Sequence, residues 1–355
     1  MHVRLLALAA LALCSVGATG ASAQVQPPAG AQSTPPRGAV RGVVRSTLGG
    51  RISYAVVTLE PGIAPRFTDD SGVFVIPGIV PGPYVLRARQ VGYKPFDTTL
   101  VVPEGGAVVV AVALEHFVVE LEAIHVVAHS AAWDHCTAPG PPDPTVNPDF
   151  AAVFDQLRQN AERYWLLADS YPALYRMERQ FGPGVWRTDT IELRTDTRWR
   201  YAPGRVVTDI HGPHGTEKQL NLPGLPDFAD SAFLSDHCFR YAGFETMDGK
   251  RYARLDFRVA DAIASPDADG SALLDPDTYL IRFVRVELTK PDLASISLDA
   301  MEATVTFREV MPSLVLPDHI SSWQSNLILA RFVRSVEEQQ MVKFTFLRSL
   351  PTERP

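Results

Sequence analysis

From Gly38 onward the chain is dominated by short runs in which apolar and polar positions alternate. Seven such runs precede Ala128: Ala39 to Arg45, Tyr54 to Glu60, Gly72 to Ile76, Tyr84 to Val91, Asp97 to Val102, Ala107 to Leu114 and Leu121 to Val127. Turn residues such as Asp69-Asp70-Ser71-Gly72 and Pro81-Gly82 separate them, and strands at this spacing predict a β-sandwich. The period then changes. Phe150, Val153, Phe154, Leu157, Ala161, Tyr164 and Ala168 recur at helical spacing and predict one amphipathic helix. Asn147-Pro148-Asp149 opens it with a capping side chain, a first-turn proline and an acid against the helix dipole, and Pro172 closes it.

Beyond Ala173 the period returns to two. Arg251 to Val259 places Ala253, Leu255, Phe257 and Val259 on one side and Tyr252, Arg254, Asp256 and Arg258 on the other. Asp248-Gly249 just before it predicts a hairpin with Phe239 to Glu245. Ser271 to Leu274, Tyr279 to Leu288, Met301 to Arg308, Asn326 to Val336 and Val342 to Arg348 continue the series, with Asp267-Ala268-Asp269-Gly270 as a turn. The predicted fold is mainly β. A seven-stranded N-terminal β-sandwich (38–128) is followed by a Pro-rich linker (129–146). A C-terminal antiparallel curved sheet then packs on one long helix (147–350).

Several motifs in the first part resemble a known family. Gly42-Val43-Val44, Ala55-Val56-Val57, Thr68-Asp69-Asp70-Ser71-Gly72-Val73-Phe74, Pro81-Gly82-Pro83-Tyr84 and Val91-Gly92-Tyr93 occur in the order seen in carboxypeptidase regulatory-like domains. The resemblance implies a transthyretin-like sandwich, related to carbohydrate-binding-like folds, in an extracytoplasmic setting, and it carries no catalytic residues. The second part resembles in outline the half-barrel of lipoprotein carriers. The sandwich, a cysteine, the helix, then Phe233 to Arg240 and Leu274 to Thr278 together resemble uncharacterised secreted bacterial proteins of the same two-part build.

Residues 1–23 read as a signal peptide, with Arg4 ahead of an apolar stretch from Leu5 to Leu13 and Ala21-Ser22-Ala23 as the cleavage site. The mature chain then begins at Gln24; lipid attachment at Cys14 is the rival reading, against which Leu13 is too large for a lipobox. Residues 24–37 have no periodicity and read as a disordered tether. No later stretch approaches 18 apolar residues, so no transmembrane segment is expected. The 355 residues include 33 Lys+Arg against 40 Asp+Glu, a net charge of −7, which argues against a nucleic-acid partner. The location expected is periplasm, outer-membrane surface or secreted.

Candidate chemistry is sparse. Without Cys14 two cysteines remain, Cys136 and Cys238, and in an oxidising compartment a disulfide is the simplest pairing. Asp134-His135-Cys136 and Asp236-His237-Cys238 repeat a tripeptide. A zinc site or a Cys–His nucleophile is therefore the alternative, although neighbouring strand side chains point to opposite faces. His214, Glu217 and His319 match a carboxypeptidase-like metal pattern, but one helix is too few for that enzyme fold. No G-x-S-x-G motif is present. Asp267 to Gly270 lacks the ligand series of a calcium loop. Trp133, Trp165, Trp186, Trp199 and Trp323 offer stacking surfaces for sugar rings. No catalytic, cofactor or metal residue is assigned. The expected function is a non-catalytic binding or interaction module that engages an envelope protein or surface polymer. A carrier of an apolar ligand in a half-barrel cavity is the second reading, and an unrecognised hydrolase the third.

Overall fold

The computed structural model describes residues 36–119, 133–182, 187–197, 200–212, 215–295, 297–328 and 330–348. The predicted strand Leu121 to Val127 and the signal peptide lie outside them. From Pro36 onward the chain is one compact unit.

Its N-terminal part is a sandwich of two sheets. Strand β1 (Gly38–Ser46) lies between β4 (Val73–Ile79), antiparallel, and β7 (Ala107–Leu114), parallel. The second sheet has the order β3-β2-β5-β6, built from Ile63–Phe67, Val56–Glu60, Gly82–Arg89 and Phe96–Val102. Val40, Val44, Val57, Leu59, Phe74, Ile76, Leu86 and Val112 are buried between the sheets. Alternation selects these residues, because one face of each strand is dry. A Cβ at Gly42 would stand 2.2 Å from the Val110 carbonyl oxygen and 2.7 Å from the Phe74 ring, so a glycine there lets the phenyl group fill the core. The turn before β4 is held by Asp69, whose carboxylate accepts N–H bonds from Ser71 and Val73, and Gly72 takes a φ of 74°. β3 departs from the expectation. Gly62 and Pro65 interrupt the pattern, yet β3 is an edge strand, where proline's missing N–H leaves no ladder bond unmade.

Helix α1 (Pro148–Ser170) starts as the sequence predicts, with Asn147 Oδ1 accepting the Phe150 N–H at 3.0 Å. Ahead of it, β-strands give way to loop; beyond it comes a nine-stranded antiparallel sheet. Seven consecutive strands form a meander: β12 (His237–Met247), β13 (Lys250–Val259), β14 (Ala268–Leu274), β15 (Ile281–Leu288), β16 (Leu298–Met311), β17 (Leu314–Ile328) and β18 (Arg331–Phe346). β8 (Ala173–Gly182) and β9 (Arg187–Arg194) extend it beyond β18. A separate antiparallel hairpin is formed by β10 (Val207–Gly212) and β11 (Gly215–Leu220).

Two expectations fail on this sheet. Asn326 to Val336 is not one strand but the end of a hairpin, with Ala330 at φ 61° in its turn. Asp267 to Gly270 is not a turn. Asp267 is fully buried, accepts the Tyr201 hydroxyl at 2.6 Å, and leads directly into β14. Burial raises the Asp267 carboxyl and lowers the neighbouring His237 imidazole, so both favour their uncharged forms.

The inner face of the sheet is covered by α1, a 3-10 turn (Leu225–Ala229) and α2 (Ser231–Asp236). Phe154, Phe228, Phe233 and Phe257 interlock there, with Phe228–Phe233 and Phe233–Phe257 ring centroids both 5.5 Å apart. The other side of α1 meets the sandwich through polar groups. Gln156 accepts the Gly92 N–H at 2.8 Å. Arg163, 2% exposed, donates to the Tyr54 carbonyl at 2.7 Å, Gln90 Oε1 at 2.8 Å and the Ser313 carbonyl at 2.8 Å. Burial pushes its guanidinium down to about 9.

Candidate binding face

Cys136 and Cys238 are joined by a disulfide, their Cα atoms 5.7 Å apart. The segment carrying Cys136 runs along β12, the outermost strand. Gly140 donates to the His237 carbonyl at 2.9 Å, and the Cys136 carbonyl accepts the Asp261 N–H at 3.0 Å. The two histidines of the repeated tripeptides therefore part company. His135 is exposed and pairs with Asp261 at 3.1 Å, whereas His237 lies in the core with its ring nitrogens at the Phe233 and Ala268 carbonyls. His319 sits on β17, 3.0 Å from Glu338. His214 and the Glu217 side chain fall outside the described residues. Among the described residues no group of three His, Cys, Asp or Glu is placed to hold a metal.

The outward face of the large sheet concentrates the exposed chemistry. Cross-strand register aligns Arg240, Asp256, Ser271, Arg285, Thr304, Ser321, Glu338, Gln180 and Thr188, one polar residue from each strand. Directly opposed residues share a face, so this row crosses the whole sheet. The row one residue over, Leu255, Ala272, Val284, Val305 and Ile320, points inward.

At the β12–β15 end this face becomes a charged lattice. Arg240 donates to Asp256 at 2.8 and 3.0 Å, and Arg254 reaches the other Asp256 oxygen at 2.6 Å. Glu245 accepts from Arg254 at 2.8 Å and from Arg285 at 3.0 Å. Ser271 is the small residue between these strands that lets the long side chains converge above β14. Burial alone would lower the Arg254 pKa, but Asp256 and Glu245 outweigh it and raise the pKa. Trp133 stacks on Arg240, ring centroid to Cζ 4.2 Å. Indole, guanidinia and carboxylates together wall a groove of about 290 Å³. Each guanidinium brings five planar donors, held at fixed angles by carboxylates that are themselves anchored on strands. Such a surface can hydrogen-bond a polyhydroxylated or amide-rich chain and stack its apolar faces on the indole.

Trp323 stacks on Arg334 at 4.5 Å further along the same face, and Trp165 lies beside Arg200 at 5.6 Å on α1. Trp186 and Trp199 are outside the described residues. The alternation of Tyr252, Arg254, Asp256 and Arg258 was visible in the sequence. That Glu245 and Arg285 join Arg254 was not, because it depends on the register of three hairpins.

A sandwich of this topology joined to a helix-backed sheet is a β-rich, two-part architecture, and comparison with known proteins bears on its first part. Residues 39–115 match the family model of the carboxypeptidase regulatory-like domain, the family that the turn and strand motifs resemble. No curated protein matches the chain. Among solved structures, a minor pilin from Streptococcus agalactiae is 18% identical over 24% of this chain, with a TM-score of 0.21. This chain spans 47% of the pilin. A DUF1329 family protein from Desulfovibrio piger is 10% identical, and a LolA superfamily protein from Nitrosomonas europaea is 11% identical. Each covers 56% of this chain and 94% of its own, with TM-scores of 0.34 and 0.30. At scores of this size none bears on function. No helix among the described residues is long and apolar enough to cross a membrane.

Proposed function

We propose that the protein is a non-catalytic binding module of the cell envelope, which engages a polar surface polymer or a partner protein along the outward face of the large sheet. The observation that carries this reading is the lattice of Arg240, Arg254 and Arg285 with Trp133 at its rim. Its donors are preorganised by Asp256 and Glu245, so little side-chain entropy is lost when a ligand settles on them. The disulfide supports an oxidising, extracytoplasmic compartment.

A carrier of apolar ligands needs space between helix and sheet. Phe150, Val153, Phe154 and Leu157 of α1 are buried there against Phe228 and Phe257, so the polar outer face is the better candidate.

The test is co-sedimentation of the full chain with purified envelope polysaccharide and peptidoglycan fractions. A fraction that retains the parent should retain Trp133→Ala and Arg285→Ala about tenfold less well. The basis is that a partly desolvated stack or guanidinium contact is worth ~1–2 kcal/mol. Equal retention of parent and variants, at unchanged melting temperature, would remove the outer face from consideration.

A further inference from the structure

Among the described residues the hairpin of β17 and β18 outruns its neighbours. β16 pairs with β17 only as far as Leu298 opposite Asn326, and β8 pairs with β18 only from Val336 onward. Past those points Leu327 faces Phe332 and Ile328 faces Arg331, with one further backbone bond from the Leu327 N–H to the Ser297 carbonyl at 2.7 Å. A projecting hairpin end is normally polar and closed by Asn-Gly or a similar pair. Here Phe332 is 65% exposed, Ile328 50% and Leu327 47%.

Charge along the same hairpin is segregated. From His319 to Val336 there is no carboxylate, and Arg331 and Arg334 flank the apolar end. Asp318, Glu337 and Glu338 lie at the opposite, sheet-embedded part of the strands. In a chain of net charge −7, the hairpin end itself is therefore cationic and apolar, with the exposed Asp299 of β16 the carboxylate beside Asn326 and Ser325. Opposed pairs put Trp323, Arg334, Leu327 and Phe332 on one face, and the Arg334 guanidinium lies over the Trp323 ring. An indole and a guanidinium set one layer behind exposed aliphatic and phenyl groups match the depth order of a bilayer interface, with acyl chains first and then phosphates.

From this arrangement we infer that the end of the β17–β18 hairpin is a docking element for an anionic lipid surface. Leu327, Ile328 and Phe332 enter the headgroup boundary, and Arg331 and Arg334 meet the phosphates. A second protein chain fits less well. Three side chains on a two-stranded end offer far less than the ~1,200 Å² that a stable protein interface buries. A like copy would also bring its own arginines against these. The inference is independent of the polymer-binding reading, which rests on side chains of β12 to β15.

The experiment is sedimentation of the full chain with vesicles of phosphatidylcholine alone and with phosphatidylcholine–phosphatidylglycerol mixtures. The parent should partition onto the anionic vesicles, and added salt should weaken the binding. Leu327→Ser/Phe332→Ser should lower the partition coefficient at least tenfold, and Arg331→Gln/Arg334→Gln should erase the preference for phosphatidylglycerol. Since these side chains are exposed, thermal melting should be unchanged. Phe332→Trp gives a second readout: relative to the parent, its added emission should shift to the blue on mixing with anionic vesicles. Parent binding that the serine variant leaves intact, or no binding to either vesicle, overturns the inference. So does an added tryptophan emission that does not shift. Concentration-dependent self-association lost in the serine variant, without vesicle binding, overturns it in favour of a second copy.

Discussion

Replacing Asp227 by asparagine should stabilise the protein most at alkaline pH and much less in mild acid. Asp227 sits in the 3-10 turn beneath α1, 3% exposed, and its Oδ2 accepts the Gly224 N–H at 2.8 Å. Burial pushes its carboxyl up to about 7 from 3.8, and the charge of Asp230 adds to the rise, against the lowering effect of the backbone N–H bonds. In the unfolded chain the group titrates near its ordinary value. Between about pH 4 and pH 7 the folded state therefore holds one proton more than the unfolded state, and stability falls as pH rises through that window. Above pH 7 the charged form costs the fold on the order of 4 kcal/mol. Asparagine keeps an acceptor for Gly224 and never ionises. Asp227→Asn should accordingly gain roughly 2–4 kcal/mol over the parent at pH 8 and about 1 kcal/mol or less at pH 4.5. Urea unfolding of both proteins at pH 4.5, 6 and 8 measures the difference, in which most other titrating groups cancel. A constant difference across pH, or a parent more stable than the variant at pH 8, would refute the reasoning: the buried carboxylate would then be carrying its charge without penalty.

Arg163→Met should destabilise the protein by roughly 3–5 kcal/mol, because it leaves the Tyr54 and Ser313 carbonyls and Gln90 without their donor; denaturant melts report it, and a loss under 1 kcal/mol would contradict the pairing. Reducing the disulfide, or replacing both Cys136 and Cys238 by serine, should cost ~2–5 kcal/mol through the freed loop of 102 residues. A protease site placed between Thr137 and Asn147 should yield two pieces that separate in denaturant only after reduction.

Where strands alternate cleanly and turns carry Asp, Gly or Pro, sequence and structure agree, as from Tyr84 to Leu114 and over Arg251 to Val259. The same signals misled where their local meaning was overridden. Pro65 reads as a breaker, but an edge strand accommodates it. Asp267 to Gly270 has turn composition, but the Tyr201 hydroxyl and burial draw Asp267 inside. Leu327 to Phe332 contains no turn residue at all, so the hairpin end could not be told from strand interior. On α1 the apolar stripe was legible, yet Gln156, Gln159, Asn160 and Arg163 are buried as well. Gln156 and Arg163 reach the sandwich, while Asn160 bonds the Tyr279 carbonyl and the Ile281 N–H; backbone partners of this kind are displayed by no residue pattern.

That helix has a consequence for how such proteins can be assembled from parts. In this chain the sandwich supplies Tyr54, Gln90 and Gly92 to side chains that would otherwise face water or be stranded. A foreign sandwich inserted at the same place would have to offer a carbonyl and an amide at those points, or leave a guanidinium unmatched in the join. Recombination at this boundary is thereby restricted to donors that carry the same small set of groups. The two halves are a matched pair, a lock and its own key rather than interchangeable beads.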